Sequence, residues 1–201
     1  MIPVAHPIPE PPDFDKECRE RGTVWWATRR LRGEHLNASD FPNYWTQYEA
    51  HLSNAFHQRC GWWAMWIAEG QVEHYLSIKN HPGLAYEWSN YRFVVGSVNG
   101  SKRNHDDKVL DPFDVEDGWF EVLLPSMQLI LTDHIPPEKV PQAEFTLKQL
   151  RLRNGTKVVR SRKHWYDQFK CGNLDLEGLK LHAPLVAEAV GKLQSTGQSL
   201  P

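Results

Sequence analysis

The sequence predicts an α+β fold, a small group of strands set inside a single, mainly helical domain. Three observations predict it. Apolar residues over 24–56, and again over 145–152 and 179–193, support helices. β-Branched and aromatic runs cluster over 64–95. A length of 201 residues, 40% of them hydrophobic, supplies one sizeable core.

Residues 1–22 carry Pro3, Pro7, Pro9, Pro11 and Pro12 among acids and few large apolar side chains, and so read as a flexible, extended arm ahead of a domain over 23–201. Tyr44, Trp45, Tyr48, Leu52 and Phe56 are spaced 1, 3, 4 and 4, which predicts a helix over about 41–58 capped by Ser39 or Asp40. Residues 64–68 and 71–75 read as two strands joined by Glu69-Gly70 in a tight hairpin. Asn80, Pro82 and Gly83 mark 76–89 as a loop, 91–95 reads as a third strand, and 99–104 opens a short helix. Asn154-Gly155 signals a turn, and a closing helix is expected over 179–193, after Pro184 resets the chain. The C-terminal helical part spans about 140–195.

No window approaches the roughly 18 uninterrupted apolar residues of a membrane span, and no basic region followed by an apolar run opens the chain. Cys18, Cys60 and Cys171 are odd in number and far apart, which argues against a disulfide framework and for a reducing, cytoplasmic setting without a membrane partner. The net charge of -2 hides a polarised chain. Residues 106–121 hold seven acids against Lys108, whereas 145–166 hold Lys148, Arg151, Arg153, Lys157, Arg160, Arg162 and Lys163 and no acid. The small total therefore does not exclude a nucleic-acid partner.

The segment 60–104 carries the chemistry. A Glu73-His74 pair ends a strand, Asn90 follows sixteen residues after the histidine, and Asn99 nine beyond that. This order suits a one-metal phosphodiesterase. A neutral imidazole held in one tautomer takes a proton from water, which assigns His74 as general base. Glu73 and Asn99 offer hard oxygen ligands suited to Mg²⁺ or Mn²⁺. Asn90 is placed to fix the loop that bears His74. Lys102 and Arg103 then fall where phosphate oxygens would lie.

At these residues the chain resembles the HNH endonuclease superfamily, with its ββα-metal finger, and more closely bacterial HNH proteins of anti-phage defence, the Septu-type nuclease subunits among them. The matching pieces are Cys60-Gly-Trp-Trp63, Val72-Glu-His-Tyr75, Pro82-Gly-Leu-Ala-Tyr-Glu-Trp-Ser-Asn90 and Val95-Gly-Ser-Val-Asn-Gly-Ser-Lys102, with Leu110-Asp-Pro112 and the stretch from Phe145 to Leu152 beyond them. The resemblance covers roughly 45–165 and implies a ββα-metal core over about 60–107. It puts the general base on His74, the metal ligands on Glu73 and Asn99, the orienting residue on Asn90 and a basic residue on Lys102. It also implies an effector working on DNA before RNA, beside an ATPase subunit. The family's two C-x-x-C zinc knuckles are mostly lost: Cys60 is the remnant, and Trp63, Val95 and Val98 stand at the other three places. No structural Zn²⁺ is expected, and an apolar plug is expected in its stead.

Plainer readings stand beside these. His81 suits a solvated loop as well as a substrate contact, and His105 a surface position as well as a ligand. The Trp residues suit core packing better than base stacking. Lys148, Arg151, Arg160 and Arg162 suit a nucleic-acid surface or an ordinary solvated helix face. The rival function is a degenerate HNH module that only binds or assembles; a third is a structural protein whose Trp-rich surface binds a partner.

Overall fold

Residues 1–197 and 199–201 are described by the computed structural model. The N-terminal residues are packed down, which corrects the expected arm. A π-helical turn over Asp15–Glu20 runs straight into α1 (Arg21–Leu31), and Met1, Phe14 and Cys18 are buried. The physical reason lies in the few apolar groups that the prolines separate. The Phe14 ring packs edge-on against Tyr48, Trp88 and Tyr91, and the Trp88 indole donates to the Ile8 carbonyl at 3.0 Å. Burying such groups outweighs ordering a proline-stiffened segment, which has less entropy to lose. Gly22 lets α1 approach: a Cβ there would lie 2.2 Å from the Tyr86 ring.

The helix expected over 41–58 is shorter. A 3₁₀ turn at Thr46–Tyr48 leads into α2 (Glu49–Ala55), and Phe41 reaches the core from extended backbone. The hairpin expected between 64–68 and 71–75 does not form. Ala64 has φ 54°, and its amide bonds to the Cys60 carbonyl at 2.8 Å, which closes a tight loop with one bridge between Arg59 and Trp66. Instead β1 (Gln71–His74) pairs antiparallel with β2 (Tyr91–Val94), with Glu73 opposite Arg92 and His74 opposite Tyr91. β2 is buried at every residue, as befits a strand covered on both faces, and Arg92 lies there bidentate on Asp111. Gly70 precedes β1 because a Cβ there would stand 2.2 Å from the Phe93 ring. α3 (Gly96–Lys102) follows β2 after one residue.

A second hairpin, β3 (Phe120–Leu123) and β4 (Gln128–Leu131), grows out of the acidic stretch and was not expected. Four helices complete the chain: α4 (Val140–Gln149), α5 (Thr156–Lys170), α6 (Leu176–His182) and α7 (Pro184–Ser195). The single closing helix expected over 179–193 is thus two, broken at Ala183, whose backbone leaves the helical region ahead of Pro184. The buried residues form one contiguous core. The fold is α+β, with helices and two small antiparallel hairpins. No helix among the described residues is long and apolar enough to cross a membrane.

Candidate functional site

β1 delivers Glu73 and His74 as its last two residues, where the pairing with β2 ends, and α3 turns back beside them. Glu73, His74, Asn99 and Arg103 line one cleft of about 430 Å³ together with Ser77 and Lys79. Glu73 and His74 are 6% and 8% exposed, so both are polar groups held in a largely apolar setting.

His74 is fixed on all sides but one. Its Nε2 stands 2.8 Å from the Ala85 carbonyl, which can only accept, so Nε2 carries the proton and Nδ1 keeps the lone pair. The ring meets Trp45 and Tyr91 edge-on at 4.6 and 5.1 Å. Burial pushes the imidazole down to about 4, against the pull of the Ala85 carbonyl, so it is neutral at pH 7. Among the described residues Nδ1 has no hydrogen-bond partner.

Glu73 meets a cation. The Lys102 side chain is 0% exposed; its Nζ stands 3.0 Å from Glu73 Oε1 and donates to the His74 carbonyl at 3.0 Å. Burial pushes the Glu73 carboxyl up to about 7, and the Lys102 ammonium holds it back from rising further. This corrects the expectation for Lys102: it is a buried tie between β1 and α3, out of reach of a phosphate. Asn99 donates through Nδ2 to Gln71 Oε1 at 2.6 Å, which leaves its carbonyl oxygen free. Asn90 sits behind the cleft. It accepts from the Leu76 amide at 2.7 Å and donates to the Leu76 and Leu84 carbonyls at 2.9 and 3.1 Å, clamping the loop whose Ala85 carbonyl holds His74.

The other candidates divide. Arg103 is exposed at φ 51° and lines the cleft. His81 stands 3.6 Å from Asp106 and His105 packs edge-on against Phe145; neither lines the cleft. Lys148, Arg151 and Arg160 are exposed. Arg162 is not: at 2% exposure its guanidinium donates to the carbonyls of Met127, Leu152 and Arg153, joining the β3–β4 turn to α5. It is a structural residue, which corrects its place on a nucleic-acid surface. Cys60 is wholly buried, with the backbone amides of Trp63 and Val95 directed at its sulfur, and burial pushes the thiol up. Val98 is buried too, and Trp63 and Val95 pack partly buried against the same core.

Lys79, Ser77 and Trp45 escaped sequence reasoning. Ser77 carries a solvent-shielded Oγ with no partner, and Lys79 is an exposed cation at the cleft. The loop position of Lys79, five residues past His74, was the available signal; Trp45 comes from the turn just before Thr46, far from β1 in sequence, and left none.

The residues that could hold one hard, hydrated cation are Glu73, through the oxygen that Lys102 does not hold, and Asn99, whose Nδ2 is already engaged; both line the cleft, and Mg²⁺ takes one or two protein oxygens. Among the described residues no three His, Cys, Asp or Glu side chains gather as a metal cluster. No protein-family model matches the chain, and no curated protein matches it in sequence.

Proposed function

We propose that the chain is a metal-dependent HNH-type endonuclease with a ββα-metal core, hydrolysing phosphodiester bonds in nucleic acid, DNA before RNA. One observation carries this reading. A buried carboxyl and a neutral histidine with one free ring nitrogen open into the same cleft as an amide oxygen and an unpaired arginine. His74 Nδ1 takes the proton of the attacking water, and the hydrogen bond to Ala85 keeps that nitrogen unprotonated and aimed. Asn90 holds the loop, and so the Ala85 carbonyl, in place. Arg103 offers its guanidinium to the non-bridging phosphate oxygens. Glu73 and Asn99 would hold Mg²⁺ or Mn²⁺, which supplies Lewis-acid stabilisation of the phosphorane-like transition state and the leaving oxygen. The resemblance adds a cytoplasmic anti-phage effector acting beside an ATPase subunit.

The test is nicking of supercoiled plasmid with Mg²⁺ or Mn²⁺, comparing the parent with His74→Ala. Loss of a general base lowers the rate by about 10²–10⁴-fold. Equal rates would remove His74 from the mechanism.

A second reading has its own observation. The Lys102 ammonium on Glu73 opposes a divalent cation at that carboxylate, as in a degenerate module that binds or assembles without cutting. Parent protein without nicking activity and without heat of Mn²⁺ binding would favour it.

A further inference from the structure

Beside the cleft lies a larger groove of about 850 Å³, lined by residues of α3, the turn after α4 and the start of α5. Three cations line it, Arg103, Arg151 and Lys157, and no acid does. None of the three makes an ion pair with a described residue, although most other arginines of the chain are matched to a carboxylate or buried on carbonyls. The groove also receives the first turn of α5, a fifteen-residue helix whose N-cap, Gly155, has no side chain to satisfy the amides of Thr156, Lys157 and Val158. That turn comes close because residue 155 is glycine: a Cβ there would stand 2.4 Å from the Arg151 carbonyl. Ser97, also in the lining, carries a solvent-shielded Oγ with no partner. Trp63 contributes an aromatic face, half-buried, to the same wall.

We propose that this groove binds a single-stranded stretch of nucleic acid, its phosphates on Arg103, Arg151, Lys157 and the α5 amides, with one base against Trp63. Unpaired cations and free helix amides select a polyanion, and an indole beside them selects an unstacked base over a smooth duplex backbone. Arg103 lines both the groove and the cleft, so a strand lying here leads past the His74 site. The inference rests on the nucleic-acid reading of that site and adds the form of the substrate.

The experiment measures anisotropy of a fluorescein-labelled twelve-residue oligothymidylate with the full chain in EDTA, over a range of salt. The double variant Arg151→Ala/Lys157→Ala is expected to bind at least about tenfold more weakly, with the slope of log K against log salt reduced by about 1.4, two phosphate contacts at about 0.7 each for a single strand. Trp63→Leu is expected to lose at least about fivefold, the lower end for one stacked base, and Trp63→Phe to recover most of it. Lys16→Ala, an exposed cation far along the chain, serves as the charge control and keeps the parent slope. Near-UV dichroism of each variant reports whether it is folded. Parent protein that does not bind the oligonucleotide at 50 mM salt overturns the proposal, as does a double variant with the parent slope. A hairpin duplex bound as tightly as the single strand, and indifferent to Trp63→Leu, overturns the single-strand assignment. Groove binding without plasmid nicking removes the nuclease reading alone, and nicking without groove binding removes the groove alone.

Discussion

Lys102→Met isolates the contact that holds the site together. The parent buries a carboxyl whose value is pushed from 4.5 to about 7. At pH 8 that already costs folding about 3.5 kcal/mol, 2.5 pH units at about 1.4 kcal/mol each. Without the ammonium, Glu73 rises further and is protonated at pH 8, which sets the carboxyl cost near 5 kcal/mol and the added loss near 1.5 kcal/mol. The His74 carbonyl also loses its buried donor, worth about 1–3 kcal/mol. The expected destabilisation at pH 8 is therefore about 2.5–4.5 kcal/mol. At pH 5 Glu73 holds its proton in both proteins, so the carboxyl part vanishes and only the orphaned carbonyl remains. Urea unfolding followed by tryptophan fluorescence in EDTA, at pH 5 and pH 8, reads both values. The penalty should shrink by about 1.5 kcal/mol on acidification, and Lys102→Met in a Glu73→Gln background should show no such pH dependence. A penalty that is equal at the two pH values, or larger at pH 5, would refute the claim that Lys102 acts through the Glu73 charge.

Three further outcomes follow from the same geometry. Asn90→Ala removes three hydrogen bonds to the 76–84 loop and should cost about 2–4 kcal/mol, with the Leu76 amide losing hydrogen-exchange protection beyond the global loss. Gly22→Ala should gain about 1 kcal/mol by helix propensity alone, but its Cβ would meet the Tyr86 ring at 2.2 Å, so calorimetry should show a lower Tm. As pH falls from 6.5 to about 4, the unfolded chain takes up a proton at His74 that the folded chain refuses, so His74 withdraws up to about 3 kcal/mol of stability. Glu73 has the opposite sign between pH 4.5 and about 7, because there the folded chain holds the extra proton. Glu73→Gln should therefore lose stability on acidification more steeply than the parent, measured by urea midpoints in EDTA.

The site was legible where it rests on local order. The strand over 91–95, the short helix after it and the clamp formed by Asn90 follow from adjacent residues, and the structure places Glu73, His74 and Asn99 on one cleft. What was not legible depends on partners far along the chain. The partner of β1 was misassigned because Glu69-Gly70 is a good turn signal, whereas Gly70 in fact makes room for Phe93. The N-terminal arm looked unable to fold because Phe14 and Cys18 are few, and nothing near them announces the aromatic pocket of Tyr48, Trp88 and Tyr91. Arg162 belongs to a basic run on the page, yet on α5 it faces inward while Arg160 faces out, a distinction set by the β3–β4 turn arriving beside it. Lys102 was misread for a like reason: charge marks a residue as solvated unless the carboxylate and carbonyl that receive it are known.

Seven of the nine buried polar or charged residues among those described, Glu73, His74, Asn90, Arg92, Lys102, Asp106 and Asp111, fall within 73–111. Four of them close on the fold itself. Arg92 and Asp111 hold one another, Asp106 takes the Ser77 amide and the Asn80 side chain, and Asn90 ties its loop. Stability accounts for those, since each removes an otherwise unpaired group. It does not account for Glu73, His74 and Lys102 together. Apolar side chains of similar size in place of a buried ion pair are as often neutral or stabilising as harmful, and here the trio leaves His74 Nδ1 and one Glu73 oxygen without protein partners. Both unfilled atoms belong to residues on the cleft that Asn99 and Arg103 also line. Lys102 anchors Glu73 between β1 and α3, and the same ammonium would oppose the divalent ion of the proposed site. The carboxyl near 7 follows from the same pairing: burial raises it, and the ammonium restrains it.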